Sequence, residues 1–427
     1  MILYVVKSGD TIESIASQYG VSPYWIIATN ELSEEQSLVV GQTIVILIPE
    51  TVVTVQAGDT LADIAQSYDI SIAEIYQNNP QLFQDTILYP GEEIVIKYKT
   101  ERIGTLSING YAYPYINRTV LKKTLPYLTY LSIFGYGFQA DGTLIGIEDE
   151  ELISMALAAG VAPIMMLTTF TEEGIFSSQR ANEMLNNPEV QANLIENILK
   201  TVEEKGYQGV DVDFEYIYLE DKEEFVNFVS TLTTRMNANG YVVSVALAPK
   251  TSRDQKGLLY EAHDYQALGN AANYVLLMTY EWGYRYSSPM AVAPINNVRR
   301  VLEYGVSEID SYKIFMGVPN YGYDWPLPYI KGTTQADSLG NVEAVDRARQ
   351  YNAEIQFDEA SITPYFYYTS EDGIQHVVWF EDARSIDAKI RLVAELDLNG
   401  ASIWNIMKYF PQCWLVINAL YNIRKML

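Results

Sequence analysis

Gly209-Val210-Asp211-Val212-Asp213-Phe214-Glu215-Tyr216 is an apolar run interrupted at every second position by a carboxylate. Successive side chains on a strand point to opposite faces, so Asp211, Asp213 and Glu215 share one face and Val210, Val212 and Phe214 the other. The apolar face has to meet a core. Carboxylates on the opposite face are costly to bury, because an ionised group without a partner loses several kcal/mol of solvation. Clustered carboxylates cannot all ionise freely, so at least one pKa is raised toward working pH. Structure alone offers no reason for such a strand; proton-transfer chemistry does.

Working outward, seven further strand candidates alternate with amphipathic helices: Leu106–Tyr111, Leu128–Phe138, Ala162–Thr168, Val242–Ala248, Tyr274–Tyr280, Ile314–Tyr321 and Ala401–Ile406. Between them lie helices such as Glu189–Lys205, with Leu194, Ile198 and Val202 at i+4 spacing and Gly206 as its stop. Eight strands separated by helices give the α/β class and the (β/α)8 TIM-barrel pattern. The apolar set of the acidic strand then meets the helices, and the carboxylates point inward. Glu215 falls at the C-terminal end, where barrel active sites sit. The run between the seventh and eighth strands is too long for one connection. Its segment 364–382, PYFYYTSEDGIQHVVWFED, reads as a hairpin turning at Glu371-Asp372-Gly373. A small α+β insertion at about 325–380 is expected, forming one wall of a cleft.

The N-terminal quarter holds an internal repeat. Residues 5–19, VVKSGDTIESIASQY, lie over 54–68, TVQAGDTLADIAQSY, and Leu38-Val39-Val40-Gly41-Gln42 over Leu88-Tyr89-Pro90-Gly91-Glu92. Each unit reads β-α-α-β, with the Asp of Gly-Asp-Thr expected to cap the first helix. Residues 1–49 and 50–98 are the expected modules, 99–427 the barrel, and Lys99-Thr100-Glu101-Arg102 a short polar joint. The paired YxVxxGDTxxxIA start and closing glycine resemble LysM modules, which bind N-acetylglucosamine-containing glycans. The resemblance implies a sugar groove from the loops around Gly9, Asp10 and Thr11, and around Gly58, Asp59 and Thr60, with the loops after Asn30 and Asn79. The two modules carry 13 acids against 2 bases, so binding there rests on hydrogen bonds and ring contacts rather than charge.

Composition narrows the remaining choices. Of 427 residues, 54 are acidic and 28 basic, a formal net charge of −26. Phosphate binding needs a basic face, so nucleic acid is an unsuitable partner, and so is anionic lipid. A lone Cys413 and two histidines, His263 and His376, leave no cysteine zinc site and argue against a histidine metal cage or Ser–His relay. No metal and no cofactor are expected, and the histidines are expected as ordinary surface or hairpin residues. The start has no basic region followed by an apolar core, so no secretory signal is expected. No run approaches ~20 apolar residues, so no membrane span is expected.

A protonated Glu at a barrel rim is a general acid for a leaving oxygen. Asp213, two residues away on the same strand, is badly placed to attack the opposite face of a sugar ring, which points away from a protein carboxylate as nucleophile. Gly-x-Asp-x-Asp-x-Glu on the fourth barrel strand is similar to the signature of glycoside hydrolase family 18. Met278-Thr279-Tyr280, Gly317-Val318-Pro319-Asn320-Tyr321-Gly322 and Trp404 support the likeness; Gln208 stands where the family often has Asp. The resemblance implies substrate-assisted retaining hydrolysis. Glu215 would be the acid, then the base. Asp213 would orient the substrate acetamido group, Asp211 would share a proton with Asp213, and Tyr280 would bond the acetamido oxygen. Trp404 would floor the sugar pocket, with Met278, Trp282, Tyr321, Tyr111 and Phe138 as further substrate-binding candidates.

Two LysM modules ahead of such a barrel resemble the spore-cortex-lytic N-acetylglucosaminidases of Bacillus-type spore formers. This implies a monomer located at the cortex/coat boundary of the spore, with cortex peptidoglycan as partner. Cortex glycan, in which many muramic residues are lactams, repels a −26 chain less than ordinary wall does. A chitinase on another glycan and a non-catalytic, lectin-like wall binder are the alternatives; retention of Glu215 argues against the second.

Overall fold

The computed structural model describes residues 1–33, 36–83 and 87–426. Eight parallel strands close into a barrel: Gly104–Ala112, Tyr130–Phe138, Ala162–Thr168, Gly209–Asp213, Val242–Leu247, Tyr274–Leu277, Ile314–Pro319 and Gly400–Trp404. Each pairs with its sequence neighbour, and the eighth pairs with the first to complete the ring. All eight expected strands are present. The fourth and sixth are shorter than expected, so Glu215 and Tyr280 stand just beyond the regular ladder at the C-terminal mouth.

The two faces of the fourth strand separate as the alternation requires. Val210, Val212 and Phe214 are fully buried toward the helices, and Phe214 stacks on Phe225 and Phe228 of the next helix, Lys222–Asn237. The preceding helix, Pro188–Lys205, is capped by Asn187, buries Leu194, Ile198 and Val202, and ends at Gly206 with φ 85°. Inside the barrel the lining is partly polar: Asn109, Ser132, Asp211, Ser244 and Ser402 surround a small cavity.

Between the seventh and eighth strands the chain builds a five-stranded antiparallel sheet from Gly322–Leu327 to Gln375–Trp379, with a helix at Asn341–Gln350. Thr363–Thr369 and Gln375–Trp379 form the expected hairpin. It is closed by a bond from the Ser370 amide to the Ile374 carbonyl and by Gly373 at φ 84°. His376 belongs to this hairpin; its ring stacks on Tyr368 and Nδ1 lies 2.8 Å from Asp324.

Each N-terminal unit is β-α-α-β, with Ile2–Val5 paired to Thr43–Ile46 and Pro49–Thr54 to Glu93–Tyr98. The helix caps correct one expectation. Thr11 and Thr60, not the aspartates, accept from the Ser14 and Asp63 amides. Asp10 and Asp59 instead accept the Lys7 and Gln56 amides and so tighten the turn ahead of the helix.

Residues 99–103 link the second unit to the barrel without helix or strand, and both units also pack on the barrel. The helix Pro411–Leu420, PQCWLVINAL, is buried at every position, as a helix apolar all round must be. Gln412 Nε2 donates to the Thr43 carbonyl (2.6 Å), and Asn418 Nδ2 to Asn78 Oδ1 (3.0 Å). Thr43 Oγ1 donates to Asp382, and Tyr127 OH to the Gln77 carbonyl. Gly41, at φ 85°, lies so close to the insertion that a Cβ would sit 1.8 Å from the Ile355 carbonyl oxygen.

Candidate active site

The inward carboxylates rise in a row toward the mouth. Asp211 is the deepest: it accepts the Tyr111 hydroxyl (2.7 Å) and Ser244 Oγ (2.6 Å). Burial raises its pKa, while those two bonds pull the other way. Asp213 is also buried, and among the described residues its Oδ1 has no hydrogen-bond partner. Burial first, then the charges of Glu215 and Asp211, push its pKa well above the usual carboxylate range. Glu215 is pushed up to about 7, by burial and then by Glu281. Such a group is still substantially protonated near neutral pH, the requirement for a general acid.

Above the row opens a cavity of about 510 Å³ lined by Asp213, Glu215, Tyr111, Met278, Tyr280 and Trp404, together with Tyr216 and Glu281. Trp404 rests on an aromatic bed, with ring centroids 5.4 Å from both Tyr111 and Phe134 and 6.3 Å from Tyr113. Its indole is partly exposed to the cavity. Burial and the Asp213 and Glu215 charges push the Tyr280 hydroxyl pKa far up, keeping it a neutral donor. Two flanking cavities extend the cleft. One holds Tyr321, Tyr113 and Trp404, and the other Trp282, Asn297 and Arg300.

Phe138 does not reach the cleft. It is fully buried in the outer layer, 5.9 Å from the Phe214 ring. A bulge between Phe134 and Tyr136, with Gly135 at φ 132°, inserts one residue and reverses the alternation beyond it. Phe134, four residues earlier and before the bulge, is the ring that faces inward, against Trp404.

His263 is also not a surface residue. It is 1% exposed; Nδ1 accepts the Ala248 amide (2.9 Å), which leaves Nε2 to donate to the Phe214 carbonyl (3.1 Å). Burial pushes its pKa down to about 4.

Glu281, between two residues the sequence singled out, is a fourth carboxylate of the site. It accepts the hydroxyls of Tyr321 and Tyr323, and burial raises its pKa. It has φ 65° and Tyr216, after Glu215, has φ 55°, so strained left-handed residues flank the pocket. The only signal in the sequence was position: an acid next to Tyr280.

In the modules, Gly9 and Gly58 take left-handed φ of 87° and 96° in open space. Asn30 and Asn79 are buried. Asn30 bonds the Ile26 and Val45 carbonyls and the Val45 amide, and Asn79 makes the same set to Ile75 and Val95. Both staple helix to strand and present no free amide to a sugar. Residues 34–35 and 84–86, in the loops after them, lie outside the described residues.

The profile of Glycosyl hydrolases family 18 matches residues 174–408. The chain belongs to this family. That of the LysM domain matches 4–47 and 53–97. The "Cortical fragment-lytic enzyme" of Bacillus subtilis (strain 168) is 40% identical over 100% of this family 18 chain and 99% of its own length. The Bacillus anthracis protein of the same name is 36% identical, with 99% of both chains covered. The crystal structure of the Bacillus megaterium QM B1551 spore cortex-lytic enzyme SleL superposes with TM-score 0.84 at 40% identity, covering 100% of this chain and 99% of its own. As a family 18 member the chain is a glycosidase.

Proposed function

We propose that this glycosidase cleaves the bond after N-acetylglucosamine in spore cortex peptidoglycan during germination, by substrate-assisted retaining catalysis. Glu215 protonates the glycosidic oxygen and afterwards activates water. The substrate's own acetamido oxygen attacks the anomeric carbon, so no second protein carboxylate is needed opposite Glu215. Asp213 accepts the acetamido N–H and balances the charge that develops there, Asp211 shares a proton with it, and Tyr280 bonds the acetamido oxygen. Trp404 floors the sugar, beside Tyr111 and Met278.

The observation that carries this reading is the buried, unpartnered Oδ1 of Asp213 beneath a cavity floored by Trp404. A buried acceptor left without a donor costs about 1–3 kcal/mol, which a substrate N–H would recover. The names of the full-length relatives support the cortex as substrate and a spore-associated location. The modules, bearing Gly9, Asp10, Thr11, Gly58, Asp59 and Thr60 on exposed turns, hold the glycan, and the enzyme acts as a monomer.

The test is mass spectrometry of fragments released from purified cortex by wild type and Glu215→Gln. Products ending in reducing N-acetylglucosamine, absent with the variant, are expected. Release from chitin oligomers but not cortex would replace the substrate; release from neither would leave a wall-binding protein.

A further inference from the structure

Resting on the cortex reading, we propose that Arg300 is a specificity-determining residue that binds a carboxylate on the muramoyl sugar next to the N-acetylglucosamine in the catalytic pocket. The chain carries nearly twice as many acids as bases, and nine of its thirteen arginines have a carboxylate within 4 Å among the described residues. Arg300 has none among the described residues. The helix Ile295–Glu308 shows the contrast in adjacent positions. Arg299 turns outward and binds Glu395 through Nη2 at 2.8 Å, whereas Arg300 faces the cleft, its guanidinium bonded to Asn297 Oδ1 one turn back.

The cavity that Arg300 lines is about 370 Å³ and shares Tyr280 and Glu281 with the catalytic pocket, so a sugar there is contiguous with the one on Trp404. Its wall also includes Trp282, a ring for a sugar face, Pro249 and Tyr260, and the neutral donors and acceptors of Thr251, Ser252, Gln255 and Asn297. Glu281, the nearby acid, is turned to the hydroxyls of Tyr321 and Tyr323 rather than to Arg300. Peptidoglycan alternates N-acetylglucosamine with muramoyl units, so whichever way the chain lies, the next sugar is muramoyl. Those units either carry a carboxylate, on the lactyl group or on a short peptide, or are closed to a neutral lactam. A guanidinium held by Asn297 and without an acidic partner distinguishes the two, because only the first offers an anionic acceptor that a planar guanidinium can bind as a bidentate ion pair, whereas a lactam carbonyl offers a single neutral acceptor.

The test uses the full chain, with purified cortex oligosaccharides sorted by whether the muramoyl unit beside the cleaved bond is lactam or carboxylate-bearing, and chitin oligomers as a third substrate. Wild type should show a higher kcat/KM on the carboxylate class, a preference that shrinks as salt rises from 0.05 to 0.5 M. In Arg300→Gln the ratio of kcat/KM between the two cortex classes should fall about tenfold, the size of one charge-assisted bond, and Arg300→Lys should keep part of it. A ratio equal in wild type and Arg300→Gln, or equal losses on all three substrates, would overturn the proposal while leaving the cortex reading intact. Hydrolysis of chitin oligomers alone by wild type would overturn both.

Discussion

His263 Nε2 lies 3.1 Å from the carbonyl oxygen of Phe214, the residue before Glu215. The ladder between the fourth and fifth strands ends at Val212 opposite Val245. Beyond it the imidazole takes over, accepting from Ala248 and donating to Phe214, and so ties the peptide that carries the acid to the neighbouring strand. His263→Phe leaves one buried amide and one buried carbonyl without partners, at about 1–3 kcal/mol each. Denaturant unfolding should report a loss of about 2–6 kcal/mol, and kcat should fall more than KM rises.

Protonation would remove the acceptor at Nδ1, and the depressed pKa gives the sign of the pH effect. Below the ordinary value near 6.5 the unfolded chain binds a proton that the folded chain refuses until about pH 4. Stability from this group is therefore full above about pH 6.5 and is lost as pH falls toward 4, by about 3 kcal/mol in all. Unfolding free energies measured from pH 7 to 4 should fall more steeply in wild type than in His263→Gln. An equal slope would remove His263 as the cause.

The carboxylate row works in the opposite direction. Glu215, raised from 4.5 to about 7, favours the folded state when protonated and opposes it when ionised. Glu215→Gln should therefore be more stable than wild type at pH 8, by about 2–3 kcal/mol, and near wild type at pH 5. Calorimetric melting at both pH values checks this; a destabilised variant at pH 8 would contradict it.

Glu281 sets part of that raised value. If Glu215 must be protonated to donate, activity declines on the alkaline side with a midpoint near 7. Glu281→Gln removes the second contributor after burial, so the midpoint should move to lower pH. A pH–rate profile of kcat/KM for both proteins reads the shift directly.

Asn79 tests the modules. Its three backbone bonds hold helix Ile72–Asn78 against strand Glu93–Tyr98. Asn79→Ala should lower stability by at least about 3 kcal/mol, since three buried backbone groups lose their partner at about 1–3 kcal/mol each. Glycan pull-down by folded variant at low temperature should persist, because the amide faces the module interior.

Much of the barrel was legible because its strands announce themselves as apolar runs, and because three acids at spacing two on one strand have no structural purpose. What escaped depends on contacts distant in sequence. Phe138 is a cleft candidate only by its place near a strand end, and the single residue inserted at Gly135 turns its ring outward. His263 looked solitary in sequence, since nothing local reveals that its ring bridges Phe214 and Ala248. Asn30 and Asn79 stood at the right repeat positions for a shared role, but repetition does not distinguish a staple from a sugar contact. Arg300 is one arginine of an ordinary amphipathic helix until its neighbour's partner is seen to lie on the other side.

The burial of Pro411–Leu420 under both repeats bears on how the chain behaves as a material object. Trp25, Val45, Leu47, Val95 and Tyr98 from the repeats belong to the same apolar cluster as the barrel's Trp414 and Leu415. Cutting the first hundred residues away would uncover the apolar flank that Trp414 and Leu415 share with the repeats. With that cluster shared, the intact chain is expected to melt as one cooperative unit, and the module turns stand at one fixed offset from the cleft, as in a vice rather than on a leash.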